Sequence, residues 1–178
     1  MGYGISAWFD HDTEQRVRVL WSRIADQGIF RDFTDGPFRP HVTLGVYESL
    51  AVTEFRSALA RPLSELPRFA IRFPGIGFFP GDSLVAYLTI TPSSSLETLY
   101  RTVHSVATGF GRNLHSNHLP DHWNPHSSLG LNLAVSSAQS LLDFLSFEPF
   151  PIVGTVDRVG IIDTPAEIEV GTVYLANQ

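Results

Sequence analysis

With 178 residues, 43% of them hydrophobic, the chain has the length of one compact domain and enough apolar content to bury a core. It has no cysteine, which excludes disulfides, thiolate metal sites and cysteine nucleophiles; all 12 basic residues are arginine, which excludes lysyl-adenylate ligases, P-loop NTPases and Schiff-base enzymes. The net charge of −6 argues against long, nonspecific contact with a nucleic-acid backbone, long DNA included, and favours a small phosphorylated substrate or the end of an RNA.

Taken in chain order, Ile5 to Phe9 is rich in β-branched and aromatic residues and reads as a strand. Residues 13 to 26 carry Val17, Leu20, Trp21 and Ile24 at helical spacing, with Asp12 as the expected N-cap and Gly28 as terminator. A strand from His41 to Tyr47 and a helix over 52 to 63 follow. Strands Phe69 to Phe79 and Leu84 to Ile90 are joined by the turn Pro80-Gly81-Asp82. A helix over 95 to 110 carries Leu96, Leu99, Tyr100, Val103, Val106 and Phe110, and the polar stretch from Gly111 to Asn124, with Pro120, reads as a loop bordering the site. Strand His126 to Leu133, a helix over 137 to 147, and strands Ile152 to Ile162 and Ile168 to Leu175, turned at Thr164-Pro165-Ala166, complete the chain. No apolar run approaches the about 18 to 20 residues of a membrane span, and Met1-Gly2-Tyr3-Gly4 lacks the features of a signal peptide, so a cytoplasmic monomer with no membrane partner is expected.

The elements repeat. Pro40-His41-Val42-Thr43-Leu44-Gly45 recurs 85 residues later as Pro125-His126-Ser127-Ser128-Leu129-Gly130, and the same offset places Gly75 on Gly160, Val85 on Val170 and Ile90 on Leu175. The expected fold is therefore α+β: one domain over 1–178 with two similar lobes, about 1–90 and 91–178, whose antiparallel-rich sheets are flanked by helices and enclose a central cleft.

In an extended strand alternate side chains share a face, so His41 points with Thr43 and His126 with Ser128. Val42, Leu44 and Leu129 face the core; Ser127 is the misfit, a small polar residue at a core position. Two imidazoles across one cleft suit phosphoryl transfer. One removes a proton from water and the other protonates the departing oxygen, both near their ordinary pKa of about 6.5, while the two hydroxyls hold nonbridging phosphate oxygens. This chemistry calls for no metal and no cofactor.

These paired His-x-Thr/Ser-Leu motifs resemble the two-histidine (2H) phosphoesterase superfamily, and the flanks Gly75-Ile76-Gly77-Phe78-Phe79-Pro80 and Trp123-Asn124-Pro125-His126 are most similar to its bacterial 2′-5′ RNA ligase-like branch. The resemblance spans essentially the whole chain. It implies a bilobal fold, no cofactor, and hydrolysis of 2′,3′-cyclic phosphates of nucleotides or RNA ends, or of related 2′-5′ linkages, with His41, Thr43, His126 and Ser128 as functional residues. The alternatives are a noncatalytic nucleotide- or RNA-end-binding module on the same scaffold, and a reversible 2′-5′ RNA ligase, for which the missing lysine leaves only the reversal of cyclic-phosphate opening.

Around the motifs, Arg39 is a candidate to bring positive charge to phosphate. Phe38, Phe78, Phe79 and Trp123 are candidates to stack on a base, Trp123 and Phe79 foremost, and His122 to touch substrate. The spacing of His115, His118, His122 and His126, with Asp121 among them, also fits metal ligands on a helix, but Pro120 and Pro125 argue against that helix.

Overall fold

The computed structural model describes residues 2–31 and 33–177. The elements run β1 (Tyr3–Phe9), α1 (His11–Asp26), β2 (His41–Leu50), α2 (Val52–Ser64), β3 (Phe69–Phe73), β4 (Ile76–Phe79), β5 (Leu84–Thr89), α3 (Ser94–Ala107), β6 (Gly111–Leu114), β7 (His126–Leu133), α4 (Val135–Leu145), β8 (Ile152–Asp163) and β9 (Ile168–Tyr174). The first sheet has the order β3-β8-β1-β2-β6, with β9 on β8; the second is β4-β5-β7. All their pairings are antiparallel. Among the described residues no helix is long and apolar enough to cross a membrane.

Several boundaries differ from the sequence expectation for local reasons. Helix α1 is capped by Asp10, whose carboxylate accepts from the Thr13 N–H at 2.9 Å, rather than by Asp12, which lies inside the first turn. The single strand expected over Phe69 to Phe79 is two: Pro74-Gly75 interrupts it, and β3 joins the first sheet while β4 joins the second. The expected loop from Gly111 to Asn124 begins with β6, which pairs with the end of β2, and continues through a 3-10 turn at Ser116–His118. Four residues are too few for periodicity to declare a strand.

The sheets do not divide the chain at residue 90. The triplet β8-β1-β2 in the first sheet matches β4-β5-β7 in the second, so β5 stands where β1 stands and each sheet takes strands from both sequence halves. Trp8 pairs with His41 as Thr89 pairs with His126, and Ser6 with Thr43 as Tyr87 with Ser128. Both motif strands bulge at the same place. Leu44 is passed over between the pairs Ser6–Thr43 and Ile5–Gly45, and Leu129 between Tyr87–Ser128 and Ala86–Gly130.

Pairing fixes the faces. Ile5, Ala7 and Phe9 of β1, Val42 and Leu44 of β2, and Val156, Val159 and Ile161 of β8 are buried in one cluster with Phe55, Leu59 and Leu63 of α2 and Leu99 and Val103 of α3. The opposite face carries Ser6, Trp8, His41 and Thr43. In the second sheet Ala86, Leu88 and Leu129 join the core, and so does Ser127, which is fully buried with no hydrogen-bond partner for its Oγ. Ser127→Ala removes only this uncompensated hydroxyl. It is expected to stabilise the protein by about 1 kcal/mol, a rise of roughly 2–4 °C in Tm for a chain of this size; an unchanged or lower Tm would show that the hydroxyl is satisfied in solution.

Candidate active site

The two motif histidines are held in the same way. His41 Nδ1 lies 2.7 Å from the Arg39 carbonyl oxygen and His126 Nδ1 lies 2.7 Å from that of Asn124, each two residues upstream. A carbonyl only accepts, so both Nδ1 atoms carry their hydrogen, and each neutral ring presents the Nε2 lone pair to the cleft. The hydroxyl residues are anchored through their own backbone oxygens: Trp123 Nε1–H donates to the Thr43 carbonyl at 2.9 Å and Trp21 Nε1–H to that of Ser128 at 3.1 Å. Beside the first bulge, His104 Nε2–H on α3 donates to the Leu44 carbonyl at 2.7 Å, while its Nδ1 accepts from the Tyr47 hydroxyl at 3.2 Å.

Burial sets the electrostatics. It pushes the pKa of His126 below the ordinary imidazole value against the opposing hydrogen bond to Asn124. His41 is pushed down by burial first and also by charge on His126, against its hydrogen bond to Arg39. The two imidazoles repel one another's charge, so protons leave the pair in steps that belong to both rings.

A cavity opens beside the first motif. It measures about 340 Å³ and is lined by His41, Trp8, Phe38, Arg39 and Thr43. Arg39 does not project freely into it: the guanidinium lies 4.6 Å over the Trp8 ring and pairs with Glu14 at 3.3 Å and Glu169 at 3.6 Å. Glu14, nearly buried, also takes Arg18 at 2.9 Å and Arg158 at 3.5 Å, so every arginine around this cavity is already matched by a carboxylate. On the other side Phe79 packs edge-on against His126 at 4.8 Å and stacks on Tyr87 at 4.2 Å, and Tyr87 lies 5.2 Å from His126. Tyr87, Thr89 and Asn124 line a second cavity, about 890 Å³, whose wall does not include His126 itself.

The other expected site residues take different places. Trp123 is stacked on Tyr100 at 4.0 Å, in addition to its bond to Thr43. Phe38 packs on Phe33 at 5.1 Å, and Phe78 packs half-buried against the core. His122 is exposed, with Nδ1 turned to the Ser116 carbonyl at 3.2 Å. His115 and His118 have ring centres 6.0 Å apart, and among the described residues no three His, Asp or Glu side chains converge as metal ligands. His118, neutral through burial with its pKa lowered to about 4, instead offers its backbone carbonyl to the Tyr100 hydroxyl at 2.7 Å. Sequence reasoning missed Trp8, Trp21, Tyr87, Thr89 and His104. Alternation along β1 and β5 carries the signal for Trp8, Tyr87 and Thr89; nothing local marks Trp21 or His104, which reach the motifs from helices.

The sequence matches the family model of the 2′-5′ RNA ligase superfamily over residues 48–167, more than half of the chain. The chain belongs to the 2′-5′ RNA ligase superfamily. The matched stretch contains His126 and Ser128 but begins just after His41 and Thr43, so for a member of this superfamily the first motif rests on the internal repeat and the site geometry. Among solved structures, E. coli LigT without ligand is similar at 14% identity and a TM-score of 0.64, covering 98% of this chain and 97% of that one. TT0787 of Thermus thermophilus is similar at 14% identity and a TM-score of 0.64, each chain covered completely. E. coli LigT complexed with 3′-AMP is similar at 13% identity and a TM-score of 0.61, with 97% of each chain covered. These likenesses establish the fold. No curated protein matches.

Proposed function

We propose that the protein is a phosphodiesterase that opens 2′,3′-cyclic phosphates of nucleotides or RNA ends by two-histidine acid/base catalysis without a metal. The observation that carries this reading is the matched pair of Nδ1–H···O=C bonds, which leave two Nε2 atoms available, each with a hydroxyl two residues along its strand. One imidazole takes the proton of the attacking water and the other gives its Nε2 proton to the ribose oxygen that leaves phosphorus. Thr43 and Ser128 donate to the nonbridging oxygens as charge grows on them. The complex of LigT with 3′-AMP, a nucleotide with its phosphate on the ribose 3′ oxygen, supports nucleotides as the substrate class.

Turnover of 2′,3′-cyclic mononucleotides in excess chelator tests this, with the product phosphate located by NMR. Stoichiometric binding with no product over a long incubation would favour a binding module, and activity abolished by chelator and restored by zinc would contradict the mechanism. The pH dependence carries a sign. Both histidine pKa values lie below the ordinary 6.5, and the phosphodiester does not titrate nearby, so kcat/KM should be bell-shaped with its maximum on the acid side of 6.5. A maximum above pH 7 would remove the burial argument.

A further inference from the structure

At the level of its hydroxyl residue each motif strand has a strand neighbour on one side only. Among the described residues β7 pairs with β5 alone, and β6 joins the far edge of β2 only from Tyr47 onward. Where no further strand reaches, each motif instead receives an indole. Trp123 Nε1–H is given to the Thr43 carbonyl and Trp21 Nε1–H to the Ser128 carbonyl, so each half of the chain supplies one donor to the other half's motif. The two tryptophans are not copies of one another. The repeat offset places Val106 on Trp21, and Trp21 lies on α1 whereas Trp123 lies in the segment before β7. Unrelated positions thus deliver the same donor to the same backbone atom of the two motifs. A duplicated structure does not produce that by descent; a shared demand at the two carbonyls does.

Both indoles are clamped. Trp123 is stacked on Tyr100 at 4.0 Å, and the Tyr100 hydroxyl donates to the His118 carbonyl of the same segment at 2.7 Å. Trp21 is buried, with its ring 4.8 Å from Phe33. Each indole is also linked to the group that aims a histidine. Asn124, next to Trp123 in the chain, supplies the carbonyl that holds His126 Nδ1, so one short segment joins the first motif's hydroxyl residue to the second motif's imidazole. Trp21 shares α1 with Glu14, which pairs with Arg39 at 3.3 Å, and the Arg39 carbonyl holds His41 Nδ1. We propose that Trp123 and Trp21 are positioning residues, a reciprocal brace that sets the spacing of the two motifs so that both imidazoles and both hydroxyls meet at one phosphorus. The inference rests on the two-histidine reading and adds to it the groups that hold the two halves of the site in register.

Trp123→Phe and Trp21→Phe each keep an aromatic ring and lose the N–H. A misplacement of about 1 Å costs on the order of 10² in rate, so kcat for 2′,3′-cyclic AMP should fall at least about tenfold in each, with KM within about threefold of wild type and circular dichroism unchanged. Trp123 is only half-buried, so Trp123→Phe carries the test if Trp21→Phe does not fold. Replacing Trp123 by benzothienylalanine, which keeps the ring shape with sulfur for the N–H, should reproduce the loss, and 7-azatryptophan, which keeps the N–H, should not. Inorganic phosphate, followed through the imidazole NMR resonances of His41 and His126, reads the spacing without catalysis. One shared midpoint is expected in the wild type, and two separate midpoints in Trp123→Phe. A smaller fall in kcat in folded Trp123→Phe, a loss carried mainly by KM, or a phosphate midpoint still shared in that variant would overturn the brace. If no cyclic phosphate is turned over but the midpoints separate in the variant, the catalytic reading fails and the brace stands.

Discussion

His41→Ala and His126→Ala are each expected to lower kcat for cyclic-phosphate opening by about 10² to 10⁴, the usual contribution of a positioned proton-transfer group. Each imidazole is tied to the fold by a single bond from Nδ1 to a backbone carbonyl within its own segment, so removal leaves the ladders of β2 and β7 intact. Far-ultraviolet circular dichroism and Tm should accordingly stay close to wild type while activity is lost. The double variant should be little worse than the weaker single one, because the two protons move in one step and groups acting as a unit are not additive. Either single variant retaining activity within tenfold of wild type would mean that its histidine does not transfer a proton.

Gly160→Ala should have the largest effect on stability. Gly160 sits on β8 under the indole of Trp8, and an added Cβ would clash with Cζ2, Cε2 and Cη2 of the six-membered part of that ring. The ring cannot give way easily, since Trp8 is 2% exposed and lies under the guanidinium of Arg39 at 4.6 Å. Overpacking a rigid buried ring costs about 3 kcal/mol or more, which corresponds to a fall of roughly 6–12 °C in Tm. Activity should drop too, because Trp8 is the cross-strand partner of His41. Trp8→Leu introduced with Gly160→Ala should recover part of the loss, while Gly75→Ala, with nothing near the added carbon, serves as control. A Gly160→Ala protein as stable as wild type would place Trp8 elsewhere in solution.

The cleft histidines were legible in the sequence because the repeat preserved imidazole, hydroxyl, leucine and glycine together. The leucines have a structural reason that the sequence did not disclose: both stand at the bulge of a motif strand. Long periodic elements such as α1 and α3 were readable from their buried stripes of Val17, Leu20 and Ile24, and of Leu96, Leu99 and Val103. Short β6 was not, and neither was the split at Pro74-Gly75, since local propensity does not report which sheet a strand will join. Arg39 illustrates the same limit at the site. Its place beside His41 was evident, but its ion pairs come from Glu14 and Glu169, far away in sequence and brought together by β1, β8 and β9.

The matching triplets β8-β1-β2 and β4-β5-β7 imply a unit that begins with β1 or β5 and ends with β4 or β8. In each unit the final strand crosses over to complete the other unit's sheet, which is the geometry of a domain-swapped dimer closed within one polypeptide. A lone unit would leave β1 or β5 with an open hydrogen-bonding edge, a template for pairing with a second copy. Two motif strands facing one another across a cleft are thus a by-product of the exchange: the strand traded by each half pairs with the strand that lies beside the other half's motif.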